Sequence, residues 1–114
     1  MDLLGYCCQE FLKAKRCSMC ISFVRIKVQQ AKSGELLAAV QSLMKRFRRA
    51  NGCLGYRLSR DVEDEYALYL IGEWESHQSL ESHLGSPDFE VLHGAIRVLA
   101  TEFRFHSLCA DKLR

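Results

Sequence analysis

Between Cys20 and Leu108 the apolar residues of this chain keep changing their spacing, and the order of the changes leaves few folds open. In Cys20-Ile-Ser-Phe-Val-Arg-Ile-Lys-Val28, β-branched and aromatic residues crowd together, which marks a strand. Strand side chains alternate, so Ser22, Val24, Ile26 and Val28 share one face and Ile21, Phe23, Arg25 and Lys27 the other. From Ser33-Gly34-Glu35 the spacing becomes helical, with Leu36, Val40, Leu43, Met44 and Phe47 on one stripe. Asn51-Gly52 ends that helix, since glycine accepts the left-handed cap conformation. Two strands follow, about Cys53–Arg60 and Tyr66–Glu75, joined by the polar turn 61–65 as a hairpin. Ser76 caps a short helix carrying Leu80, His83 and Leu84, and Gly85 stops it. Ser86-Pro87 starts another, with Phe89, Leu92, His93, Ile96 and Leu99 as its stripe. A last strand, about Thr101–Leu108, sets Phe103 and Phe105 on one face.

The order is β-α-β-β-α-β with the second helical segment broken in two. That is the split-βαβ, ferredoxin-like motif of the α+β class, a four-stranded antiparallel sheet with helices on one face. The other face would stay bare and carry Ile21, Phe23, Tyr69 and Ile71. An apolar open sheet calls for a partner, so a homodimer is expected. This domain takes residues 20–114. Residues 1–19 fall outside the pattern as an N-terminal extension, where Leu3, Leu4, Cys7, Cys8, Phe11 and Leu12 suggest an amphipathic helix.

Sixteen basic residues nearly balance fourteen acidic ones, a net charge of +2 that gives no footprint for nucleic acid. No apolar run reaches the ~20 residues of a membrane span, and charges interrupt residues 1–18 where a secretory signal would need an apolar core. A cytoplasmic protein is expected. Cys7, Cys8, Cys17, Cys20, Cys53 and Cys109 then read as thiols, not as a disulfide framework. Cys17-Ser-Met-Cys20 lacks the second ligand pair that zinc requires, so no metal is expected. Glycine loops for phosphate or dinucleotide, H-E-x-x-H and G-x-S-x-G are all missing, leaving hydrolysis and nucleotide chemistry without support.

Three stretches carry a family resemblance. Asn51-Gly-Cys-Leu-Gly-Tyr-Arg-Leu-Ser-Arg-Asp61, Tyr69-Leu-Ile-Gly-Glu-Trp-Glu-Ser76 and Leu80-Glu-Ser-His-Leu-Gly-Ser-Pro-Asp-Phe89 resemble, in order and spacing, strands and helices of the antibiotic biosynthesis monooxygenase superfamily. Met19 stands where such proteins commonly begin. The resemblance implies a dimeric αβ-barrel with a pocket between sheet and helices in each subunit. Many oxygenases of the superfamily use neither metal nor flavin, so no cofactor is expected. Its haem-degrading branch would place a proximal histidine on His93, which is kept, a tryptophan on His83 and an asparagine on Val24. Two of three positions depart, which disfavours haem breakdown but not haem binding.

His83 and His93 both lie beside apolar residues at helical spacing and should point toward the sheet. An imidazole titrates near neutrality, so it can move protons or hold a phenolate oxygen. Either alone reads more readily as a structural histidine; as a pair facing one cavity, a catalytic reading is equally open. Trp74 reads as core, or as the wall of a flat aromatic site. Tyr56 is the better cavity candidate of the strand tyrosines, because Leu54 and Leu58 share its face; Phe89 and Val24 complete the expected walls. Arg57 and Arg104 read as solvated or interfacial charges, and Lys45–Arg49 as a dipole-matched helix end. The expected activity is a cofactor-independent, quinol-type monooxygenase acting on a small aromatic substrate. The rival readings are an O₂-independent isomerase and a non-catalytic dimeric module binding haem or another hydrophobic ligand.

Overall fold

The computed structural model describes residues 19–110, so the expected extension helix and Cys7, Cys8 and Cys17 lie outside the described residues. Strand β1 (Cys20–Val28) alternates between buried and partly exposed side chains along its whole length. A 3-10 turn at Gln30–Lys32 feeds directly into helix α1 (Ser33–Arg48), so Ser33 enters the helix without capping it. The apolar stripe of α1, from Leu36 to Phe47, is buried as its spacing predicts. Gly52 closes the following turn with φ of 85°. Any other residue would be strained there, and an added Cβ would strike Ser79.

Strands β2 (Cys53–Arg60) and β3 (Ala67–Trp74) form the hairpin. Helix α2 (His77–Leu84) begins at a capping box in which Ser76 and Ser79 satisfy each other's backbone N–H. Helix α3 (Pro87–Leu99) begins at Ser86, whose side chain accepts from Phe89 N, with Pro87 in the first turn. Strand β4 (Ala100–Cys109) ends the fold. The sheet order is β2-β3-β1-β4, antiparallel throughout. The α+β ferredoxin-like architecture is therefore the one the spacing predicts.

The core lies between the helices and one sheet face. Val24, Ile26, Leu70 and Trp74 from the strands meet Leu36, Val40, Met44 and Phe47 of α1, Leu80 of α2 and Leu92 and Ile96 of α3. On the opposite face Ile21, Phe23, Tyr69 and Ile71 stay partly exposed.

Two expectations are corrected. Cys20 and Cys109 are not thiols but a disulfide. They face each other directly in the β1–β4 register, a juxtaposition 89 residues apart in sequence that only the closed sheet creates. Leu54 does not share a face with Tyr56. An irregularity between Cys53 and Gly55 shifts the register and leaves Leu54 56% exposed, while Tyr56 is buried.

Candidate functional site

The last turn of α2 lays His83 on the sheet. Its carbonyl accepts from Ser86 N at 3.0 Å and Ser86 Oγ at 2.7 Å, so the junction between α2 and α3 fixes its backbone. The residue is only 3% exposed. Its ring stacks on the Trp74 indole at 4.5 Å between centroids. Phe47 meets it edge-on at 4.7 Å and Phe89 at 5.0 Å. Its Nε2 lies 3.0 Å from the Tyr56 hydroxyl.

A second hydrogen bond braces this cluster: Trp74 Nε1 donates to Ser22 Oγ at 3.2 Å, joining β3 to β1. Gly72 provides the space in which Tyr56, Trp74 and Ser22 converge. A Cβ there would stand 2.7 Å from Ser22 Oγ, 2.7 Å from Tyr56 Cε2 and 2.9 Å from Trp74 Nε1.

Burial decides the protonation of the pair. Desolvation lowers His83 to about 4, so the imidazole is neutral at pH 7. Desolvation pushes the Tyr56 phenol well above its ordinary range, with the Ser22 hydroxyl beside it acting the other way. Two neutral groups therefore share one hydrogen bond. With the ring proton on Nδ1 the hydroxyl donates to Nε2; in the other tautomer Nε2–H donates to the hydroxyl oxygen.

A groove of about 350 Å³ opens onto the cluster between the C-terminal end of α1 and the α2–α3 junction. His83 and Phe47, the buried members of its lining, form the floor. Nδ1 of His83 has no partner among the described residues, nor is any side-chain N or O among them buried without one. One ring nitrogen of His83 is thus engaged by Tyr56, while the residue itself lines the groove.

The structure brings together Tyr56, Trp74, His83 and Phe89. His93 stands apart and is exposed, which corrects the expectation that it points inward. The buried stripe of α3 runs through Leu92, Ile96 and Leu99. His93 follows Leu92 by one position, about 100° around the helix, and lies 6.0 Å from the Phe103 ring over the edge strand. Val24 is fully buried in the core between Leu70 and Phe105 of the flanking strands and lines no part of the groove. Ser22, Phe47 and Gly72 were not among the candidates. Ser22 and Phe47 sit in the buried patterns of β1 and α1, but only the structure shows which core residues border the histidine.

Among the described residues, no group of three or more His, Cys, Asp or Glu is placed to hold a metal ion. No helix among them is long and apolar enough to cross a membrane.

Comparison with solved structures places the fold among known ones. Protein SO0527 from Shewanella oneidensis superposes with a TM-score of 0.75 at 17% identity, covering 81% of this chain and 90% of that one. A conserved protein from Methanosarcina mazei Go1 gives 0.76 at 18% identity, covering 84% and 96%. SnoaB, a cofactor-independent oxygenase from Streptomyces nogalater, solved in a mutant form, gives 0.71 at 21% identity, covering 80% and 91%. No curated protein matches the sequence. The family model for antibiotic biosynthesis monooxygenase matches residues 19–95 of the 114, a span that holds three of the four strands, most of the helical layer and the whole His83 cluster. The chain belongs to the antibiotic biosynthesis monooxygenase family.

Proposed function

We propose that the protein is a cofactor-independent monooxygenase of quinol-like or polyphenolic substrates, working as a homodimer, with His83 as its proton-handling group. The observation that carries this reading is the neutral, buried His83 that is hydrogen-bonded to Tyr56 and forms part of the groove floor. A flat phenol seated over Phe47 would bring its hydroxyl toward Nδ1. To accept the proton there, the ring carries its other proton on Nε2 and donates it to Tyr56 Oη.

A ring that binds protons this weakly shares a phenolic proton more than it strips it, and the resulting anion is stabilised as an ion pair. The electron-rich anion passes one electron to O₂, and the two radicals join through a new C–O bond. The peroxide takes up the proton from His83. Loss of water, with the hydrogen on the same carbon, leaves a carbonyl: one oxygen atom in the product and one in water. Similarity to SnoaB in fold supports an oxygenase reading of this scaffold, and a fold alone does not fix the reaction.

The test is O₂ consumption by the purified chain over a panel of dihydroxyaromatics. His83→Ala should lower turnover by roughly a hundredfold or more, the scale of general-base catalysis. The site also revises the expected pH profile. A histidine at its ordinary value would make the rate rise around pH 6.5; His83, lowered to about 4, brings that rise to the acid side and leaves a plateau at neutral pH. Unchanged turnover in His83→Ala would remove the catalytic assignment. Turnover without O₂ would instead indicate an isomerase, and ligand-induced thermal shifts with no turnover a binding module.

A further inference from the structure

The groove that reaches His83 is more than an opening, because its charges are unevenly matched. Arg46 and Arg49 stand on the α1 bank, and the only carboxylate among the described residues of the lining is Asp88, from the first turn of α3. Arg46 pairs with Asp88 at 3.3 Å, with the two side chains 57% and 40% exposed. Such a solvated pair is weak and exchanges partners readily. Arg49, one turn of chain further on, has no carboxylate partner among the described residues. The groove therefore keeps a guanidinium in excess beside a floor made of an aromatic ring and a neutral imidazole.

We propose that this groove binds an aromatic carboxylate, with Arg49 and secondarily Arg46 holding the carboxylate while the ring lies on Phe47 and His83. A guanidinium presents parallel N–H donors that match the two oxygens of a carboxylate. Ser82 and Ser86 on the opposite bank are hydroxyl-bearing and bring no competing negative charge. A volume of about 350 Å³ is at the small end of ligand pockets, enough for one substituted ring and its substituents. The residues divide the tasks: the guanidiniums select, and the histidine faces the hydroxyl. The substrate class follows as hydroxylated benzoates and their larger analogues. This assignment rests on the oxygenase reading for its meaning in turnover, but binding can be measured without turnover.

The experiment uses the full chain, its single tryptophan as the reporter. Trp74 stacks on His83, so its emission responds to occupation of the groove floor. The probes are 2,5-dihydroxybenzoate and its methyl ester, titrated into wild type, Arg49→Gln and Arg46→Gln. Wild type should bind the acid about tenfold more tightly than the ester, the scale of one charge-assisted hydrogen-bonded contact. Arg49→Gln should bring the two within about twofold, chiefly by weakening the acid, and Arg46→Gln should have the smaller effect. Both arginines are exposed, so neither change threatens the fold. Equal affinities in wild type, no binding of either probe, or a preference that survives both substitutions would overturn the proposal. O₂ uptake in the same samples separates the two readings. Acid-selective binding without O₂ uptake leaves the groove assignment standing and removes the oxygenase; O₂ uptake with a neutral quinol and no acid selectivity does the reverse.

Discussion

At the scale of single residues, His83, the proton-handling group of the proposed function, also leaves a mark on stability. Its folded value of about 4 lies below the ordinary 6.5 because burial penalises the imidazolium. The unfolded chain therefore takes up the proton first as pH falls. Stability on this group's account is fully present above about pH 6.5, is lost between there and about pH 4, and is flat below. A gap of that size corresponds to about 3 kcal/mol at most, taken as an order of magnitude. His83→Phe keeps an aromatic ring against Trp74 and cannot titrate. It should cost stability at pH 7, because the Tyr56 hydroxyl loses its partner. The pH dependence is the informative part. Between pH 7 and pH 4.5, urea unfolding should show wild type losing about 2 kcal/mol more than the variant. Acid loss from Asp61 and Asp64, whose carboxyls are lowered by Tyr69 and Lys27 respectively, is common to both proteins and cancels. Equal losses would mean that His83 is not held neutral in the fold.

At the scale of elements, the site depends on three strands meeting over one missing side chain. Gly72 sits in β3 between Ser22 of β1 and Tyr56 of β2, its partners in register. Replacing a strand glycine by alanine is ordinarily neutral or mildly stabilising, through the unfolded chain. Here the new methyl would press on atoms of Ser22, Tyr56 and Trp74 that are buried and cannot swing aside. Gly72→Ala should cost about 1–3 kcal/mol, as overpacking does, and should shift Trp74 emission by breaking its bond to Ser22. Unchanged stability and emission would show that β3 relaxes and that the bracing is dispensable. The same geometry explains what the sequence revealed and what it withheld. The element order was readable because each local signal, from Ser76 and Ser86-Pro87 to the alternation in β1, agrees with the global fold. Trp74 and His83 were readable as inward-facing, since a strand pattern and a helix stripe place them, whereas Tyr56 was only the better of two tyrosines, on a face it shares with Leu58 but not with Leu54. His93 was misplaced because it lies on the margin of its stripe, where one position turns a side chain from core to solvent. Leu54 was misplaced by a bulge that simple alternation does not contain. Cys20 with Cys109, and Ser22 with Trp74, are long-range pairings set by strand register, which no local pattern states.

At the scale of the whole molecule, one sheet face is left uncovered by the described helices. Phe23 of β1 lies directly opposite Ile71 of β3 and 5.4 Å from the Tyr69 ring, and Ile21 lies opposite Leu108 of β4. Charge enters the same face: Arg57 lies beside Ile71, Arg25 over the Tyr69 ring and opposite Arg104, and Glu73 opposite Ile21. Phe23, Ile71 and Ile21 with Leu108 form the apolar part of the face, and aromatic residues and arginine are types enriched in interfaces. Size decides how complete that interface would be. Four strands about 4.8 Å apart and about eight residues long project roughly 500 Å², against about 800 Å² of accessible surface per partner in a standard interface. The sheet face would thus supply most of a dimer contact, with strand ends and loops adding the remainder. Light scattering at tens of micromolar should give twice the 13.1 kDa chain mass. Ile71→Lys is the sharper measurement. Ile71 is central on the face and only partly covered within one chain, so lysine is tolerated there by the isolated fold. In a two-fold pair each copy would bury a new ammonium near another, and dissociation should rise at least a hundredfold, since an unpaired charge in an interface core costs several kcal/mol. The expected result is a species of single-chain mass with unchanged circular dichroism. A wild type that is already monomeric at these concentrations, or an Ile71→Lys variant that remains a dimer, would remove the sheet face as the place where two copies meet.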